Sequence, residues 1–225
     1  GVGVAGTLEF LDRALRHLAA EFDTRDEPHP QLEHVSLTAR TLDIHLAQPA
    51  TLPAPWSGSG RQWKLTTDSD VPDIGVLPPY PLLVSIGQTD TGALELVNLE
   101  HFGTVDLTGD AERVDALARH LAAELALSPW SVLVEVHTIG VASELHGLDD
   151  LRLHHHPEPA EIRPLVDQIR ASHAANSGDP DPFRVIIAAS GIDHAELSDL
   201  VAAPARRLGV AVVAVDSSAA SAALT

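Results

Sequence analysis

Cysteine and methionine are absent from the 225 residues, and lysine occurs once, at Lys64. Without cysteine there is no disulfide framework, thiol nucleophile, cysteine zinc site or iron–sulfur cluster. Aromatic residues make up only 4%, and Trp56, Trp63 and Trp130 are too dispersed to form a base-stacking platform. Positive charge is scarce: 14 Lys and Arg face 32 Asp and Glu, a formal charge of −18. That balance excludes a nucleic-acid backbone as the main partner and disfavours docking on an anionic membrane. No run reaches the ~20 apolar residues of a transmembrane helix, and no charged-then-apolar secretory signal is read at the start. Lacking an initial methionine, the chain reads as a piece of something longer. The preference for Arg over Lys, with abundant Ala, points to a GC-rich bacterial genome.

What is present suffices for folding. Apolar residues make up 44%, enough for one sizeable core or one core with an appendage. Leu8, Phe10, Leu11, Leu15, Leu18 and Ala19 recur at helical spacing and predict a helix over 7–22, with Thr7 as N-cap. Alternation predicts a hairpin over 34–46 and a short strand over 62–66, with a proline-rich loop and the turn 56–60 between them. Four prolines and little periodicity over 68–81 mark a boundary. We therefore divide the chain into a small α+β unit, 1–75, and an α/β domain, 76–225.

In the second part, strands are expected over 82–86, 93–99, 103–107, 131–139, 151–155, 183–189 and 210–215. Helices are expected over 110–127, 159–175 and 194–208. Alternating strands and helices predict a mainly parallel sheet between two helical layers. The apolar runs at 185–189 and 210–215 fit strands buried on both faces.

Candidate sites are few. The opening Gly1, Gly3 and Gly6 match G-x-G-x-x-G, but no strand feeds them, so they read as a leader. In the triplet His154-His155-His156, alternation sends His155 to the opposite face from the other two, so at most two of the three could share a metal. His137, His146, His173 and His194 are scattered, and these histidines read as solvated side chains. Ser190 follows an apolar strand with Asp193 and His194 nearby, but Ala188 and Ile192 stand where a nucleophile elbow needs glycine. Asp193 with Glu196 reads as a helix cap. The carboxylates Asp149, Asp150, Asp179 and Asp181 read as turn formers.

The order of elements carries a resemblance. The segment 83–87, a turn at 89–92 and the run 96–103 resemble the lead-in of FtsK/HerA-type P-loop ATPases. By that resemblance 104–109 stands for the phosphate-loop strand, 184–189 for the Walker B strand and 206–214 for the approach to the sensor strand. The nucleotide motif itself is missing. G-x-x-x-x-G-K-[ST] uses glycine amides, a Lys and a hydroxyl to hold phosphates and magnesium. Here Gly109 is followed by Asp110, Ala111, Glu112, Arg113, Val114, Asp115 and Ala116, without second glycine or lysine, and the loop is about three residues short. Carboxylates at that helix start repel phosphate. Ser190 stands where a Walker B carboxylate belongs, and Asp216 ends the neighbouring apolar run instead.

A second resemblance covers nearly the whole chain. The runs 79–87, 108–113 and 121–130, preceded by a helix and a hairpin bearing Trp63, resemble the central cytoplasmic region of large actinobacterial proteins. Those carry transmembrane helices, a LysM domain and often a bacterial transcriptional activator domain. The resemblance implies the soluble, cytoplasmic part of a membrane-anchored signalling or regulatory protein.

The expectation is a three-layer, Rossmann-like α/β sandwich, a degenerate P-loop NTPase fold, with the small α+β unit before it. The leading role is a non-catalytic scaffold that contacts a protein partner or other domains of its own polypeptide. No catalytic, cofactor-binding or metal residue, no direct nucleic-acid contact and no membrane insertion is expected. The alternatives are a nucleotide or metabolite sensor without hydrolysis, and an enzyme with a site near Ser190, His194 and Asp216.

Overall fold

The computed structural model describes residues 4–148, 151–158, 160, 163–175, 182–189 and 209–216. The chain forms two compact units, 1–101 and 102–225. The first holds helix α1 (Val4–Thr24) and strands β1 (Leu32–Leu37), β2 (Thr41–Leu46), β3 (Ser57–Ser59), β4 (Gln62–Thr66), β5 (Leu83–Gln88) and β6 (Leu94–Asn98). These strands make one antiparallel sheet in the order β3-β4-β2-β1-β6-β5. The one-turn helix α2 (Leu99–Phe102) follows.

α1 buries Phe10, Leu11, Ala14, Leu15, Leu18, Ala19 and Phe22, the stripe that the 3.6-residue period requires. The sheet buries Val35, Leu37, Leu42, Ile44, Leu46, Trp63, Leu65 and Leu96 and turns His34, Ser36, Asp43, Gln62 and Lys64 outward, as period-two alternation dictates. A cavity lined by Thr7, Leu37 and Leu94 brings the start of α1 to the sheet. α1 begins before Thr7, so Thr7 lies inside the helix and is not its cap. Gly6 is likewise helical, not part of a strand-to-helix turn.

The boundary differs from the expected 75/76. β6 pairs with β1, placing Val97 opposite His34 and Leu94 opposite Leu37, so the hairpin β5–β6 completes the first sheet instead of opening the second unit. The side chain of Tyr80 anchors the intervening proline-rich segment, its hydroxyl donating to the Pro30 carbonyl at 2.6 Å from a fully buried position.

The second unit holds β7 (Thr104–Thr108), α3 (Ala111–Leu127), β8 (Val134–Ile139), a 3₁₀ turn (Ser143–Leu145), β9 (Leu153–His156), α4 (Arg163–Ala175), β10 (Phe183–Ala189) and β11 (Val210–Asp216). Its sheet is parallel throughout, ordered β7-β11-β10-β8-β9. The strand order runs outward from β8 to β9 and back through β10 to β11. Right-handed crossovers therefore put α3 and α4 on opposite faces. α4 packs Val166 and Ile169 on Ile139, Ile186, Ala188, Val210 and Val212. α3 buries Val114, Ala118, Leu121, Ala122, Leu125 and Ala126 and contacts β7, β8 and β11. This is the three-layer α/β architecture, with β10 and β11 buried almost end to end.

Candidate functional site

In an open parallel sheet, ligands sit outside the carboxyl ends of the strands. At that edge β7 ends at Thr108 and α3 begins at Ala111, leaving Gly109 and Asp110 between them. Gly109 has φ +139°, a conformation that L side chains rarely adopt, and this lets the chain reverse in so short a turn. Asp110 then takes an extended conformation, φ −60° and ψ 124°, and its Oδ1 accepts from the Arg113 amide at 3.1 Å. A helix N-terminus offers its unpaired amides and positive dipole end to anions. Here a carboxylate of the same chain takes one of those amides and places a negative charge on the dipole. Asp216 lies opposite Thr108 in the ladder of β7 and β11, so a second acid ends the strand beside this turn. Glu112 is exposed in the first turn of α3.

The second cluster lies on the sheet face that α4 covers, toward the β9 edge. Ladder register sets His137 of β8 opposite His154 of β9 and Ile139 opposite His156. His137 stacks on both imidazoles, with ring centroids 5.0 Å from His154 and 5.4 Å from His156. Its Nδ1 stands 3.1 Å from Nε2 of His156, sharing one hydrogen between them. Its Nε2 is buried without a hydrogen-bond partner, 3.9 Å from Glu135 Oε2. Glu135 is engaged by the buried Arg184, whose Nε donates at 3.2 Å. Burial first, then the fields of His154, His156 and Arg184, push the pKa of His137 down to about 3. Its imidazole is therefore neutral at physiological pH.

The triplet alternates as expected. His155 points to the other face, where its Nδ1 meets Thr138 Oγ1 at 3.0 Å. The structure adds His137, which sequence reasoning left among scattered histidines. Only the β8–β9 pairing reveals it, and a ladder is not a local signal. No group of three or more His, Asp or Glu among the described residues is arranged to hold a metal ion.

Of the Ser190, His194 and Asp216 set, only Asp216 lies among the described residues; so Ser190 and His194, like Asp193, Asp149, Asp150, Asp179 and Asp181, fall outside them. The helix expected over 194–208 is also outside. Trp130 is buried just after α3, as expected of a packing residue. No helix among the described residues is long and apolar enough to cross a membrane.

No protein-family model matches this chain. No curated protein matches it either. Among solved structures it is similar to the conjugation coupling protein TcpA of pCW3, in its monomer form with ATPγS. The TM-score is 0.38 and the identity 13%, over 92% of this chain and 77% of that one. A likeness this distant carries no residue role across.

Proposed function

We propose that this chain is a non-catalytic, P-loop-like scaffold that makes protein contacts within a larger bacterial regulator. The observation that carries the reading is the closed N-terminus of α3, where Asp110 takes the Arg113 amide after a two-residue turn. A phosphate-binding loop needs several free amides and a lysine at that place; this turn offers neither length nor cation, and Asp216 adds a further carboxylate beside it. The resemblance of 79–87, 108–113 and 121–130 to the central region of actinobacterial proteins with LysM and transcriptional activator domains supports the regulatory setting.

The opposite, amino-terminal edge of the parallel sheet favours contact with protein. Leu127 ends α3, Val132 and Leu133 lie between that helix and β8, and the three are 61%, 49% and 45% exposed. Leu151, just ahead of β9, is 85% exposed. Arg152 ties that segment to the end of α3, donating to the Ser131 carbonyl at 2.8 Å and also to the Ala126 carbonyl. Large exposed apolar side chains gathered at one edge mark interaction surfaces.

Melting temperature with and without magnesium and ATP, GTP or ADP tests the closed site. Binding to the folded state alone raises it by mass action. No change is expected, and a clear rise with any nucleotide overturns the reading. Chemical crosslinking in the source bacterium tests the contact surface: adducts of the native chain should be lost in Leu127→Glu with Leu151→Glu. Equal adducts in both remove this edge as the interface.

A further inference from the structure

We propose that the His137, His154 and His156 cluster makes β9 an acid-releasable edge strand: proton uptake selects a state in which β9 has left β8. The inference is independent of the scaffold reading. β9 is four residues long and, among the described residues, lies at the sheet edge with β8 as its one strand neighbour. It contributes a single buried apolar side chain, Leu153. Its other three residues are the histidines, and each meets a side chain of β8: His154 and His156 meet His137, and His155 meets Thr138. Elements with so little buried apolar contact open at the low end of local stabilities.

The closed arrangement disfavours a second proton on His137, because the charged ring would be buried. Among the described residues, the groups facing it are Glu135 on its own strand, His154 and His156 on β9, and Arg184 on β10. Glu135 is committed to Arg184. α4, packed on the same face, presents Val166 and Ile169 there, while its Arg163, Asp167 and Arg170 are exposed. Glu158, just past β9, is exposed as well. A charged His137 would sit buried beside a guanidinium and two further imidazoles, with the one carboxylate at 3.9 Å already bonded by that guanidinium. With β9 gone it would face water and bind a proton as an ordinary histidine does. A proton taken up only by the open state raises that state's population about 10-fold per pH unit below about 6.5. Release exposes the edge of β8, a row of unpaired backbone groups that a partner strand could take.

Two amides report the release. Val136 donates to the Arg152 carbonyl at 2.7 Å and Gly140 to the His156 carbonyl at 3.3 Å. Hydrogen exchange at both, measured on the full chain from pH 7.5 to 5 and corrected for intrinsic rates, gives the opening equilibrium. We expect a rise of about 10-fold per unit below about 6.5 in the native chain and a nearly flat profile in His137→Phe. A flat native profile, or the same slope in both, overturns the proposal. Should His137→Phe fail to fold, ¹⁵N imidazole shifts of the native chain decide. His137 should stay neutral in the closed state below pH 5, and a titration near 6.5 overturns the proposal.

Discussion

Two side chains show how single residues set the stability of the units they sit in. The Tyr80 hydroxyl is the buried donor to the Pro30 carbonyl, so Tyr80→Phe should lower stability by about 1–2 kcal/mol, measured by urea unfolding. His137 acts through protons. Its folded pKa of about 3 lies below the ordinary 6.5, so the unfolded chain protonates first. Its contribution is complete above about 6.5 and lost as pH falls toward 3, by about 1.4 kcal/mol per unit. Unfolding free energies at pH 7, 6, 5 and 4 should show that slope, reduced in His137→Phe.

At the scale of elements, short turns carry the decisive geometry. Asp110→Ala removes the cap of α3 and should cost about 1 kcal/mol, while Asp110→Ser should recover most of it; thermal melts of the three chains check this. In the β3–β4 hairpin, Gly58 has φ +148°, and a Cβ there would stand 2.3 Å from the Gln62 carbonyl oxygen. Gly58→Ala should lower stability by at least about 1 kcal/mol, read by urea unfolding. Elements that bury a whole face or stripe were legible in the sequence. α3 follows from its helical period, and β10 and β11 from unbroken apolar runs. For β3 the sequence predicts a loop or turn, because Ser57–Ser59 has no apolar side chain and its strand arises from backbone pairing with β4. The sheet membership of β5 and β6 was illegible for another reason: it depends on β1, far back in the chain. The shortened turn at Gly109 was readable from spacing, but the bond from Asp110 to the Arg113 amide was not. The histidine cluster escaped because pairing between neighbouring strands, and no local motif, assembles it.

For the whole molecule, the charge of −18 is a steady self-repulsion. Raising sodium chloride from about 20 to about 200 mM should raise the melting temperature by screening it, and a fall would show that the ion pairs outweigh the self-repulsion. The order of the parallel sheet bears on synthesis. β7 is the first strand of the second unit to leave the ribosome, yet among the described residues its one strand neighbour is β11, with Thr104 opposite Val212. At about 5–20 residues per second, β7 therefore waits several seconds before its neighbour has been made. Until then, of the described strands of this sheet, β8, β9 and β10 alone can pair with one another, and the contact between β7 and β11 is a late, long-range one. Termination ahead of β11 would leave β7 without the strand it pairs with and β10 with one uncovered edge.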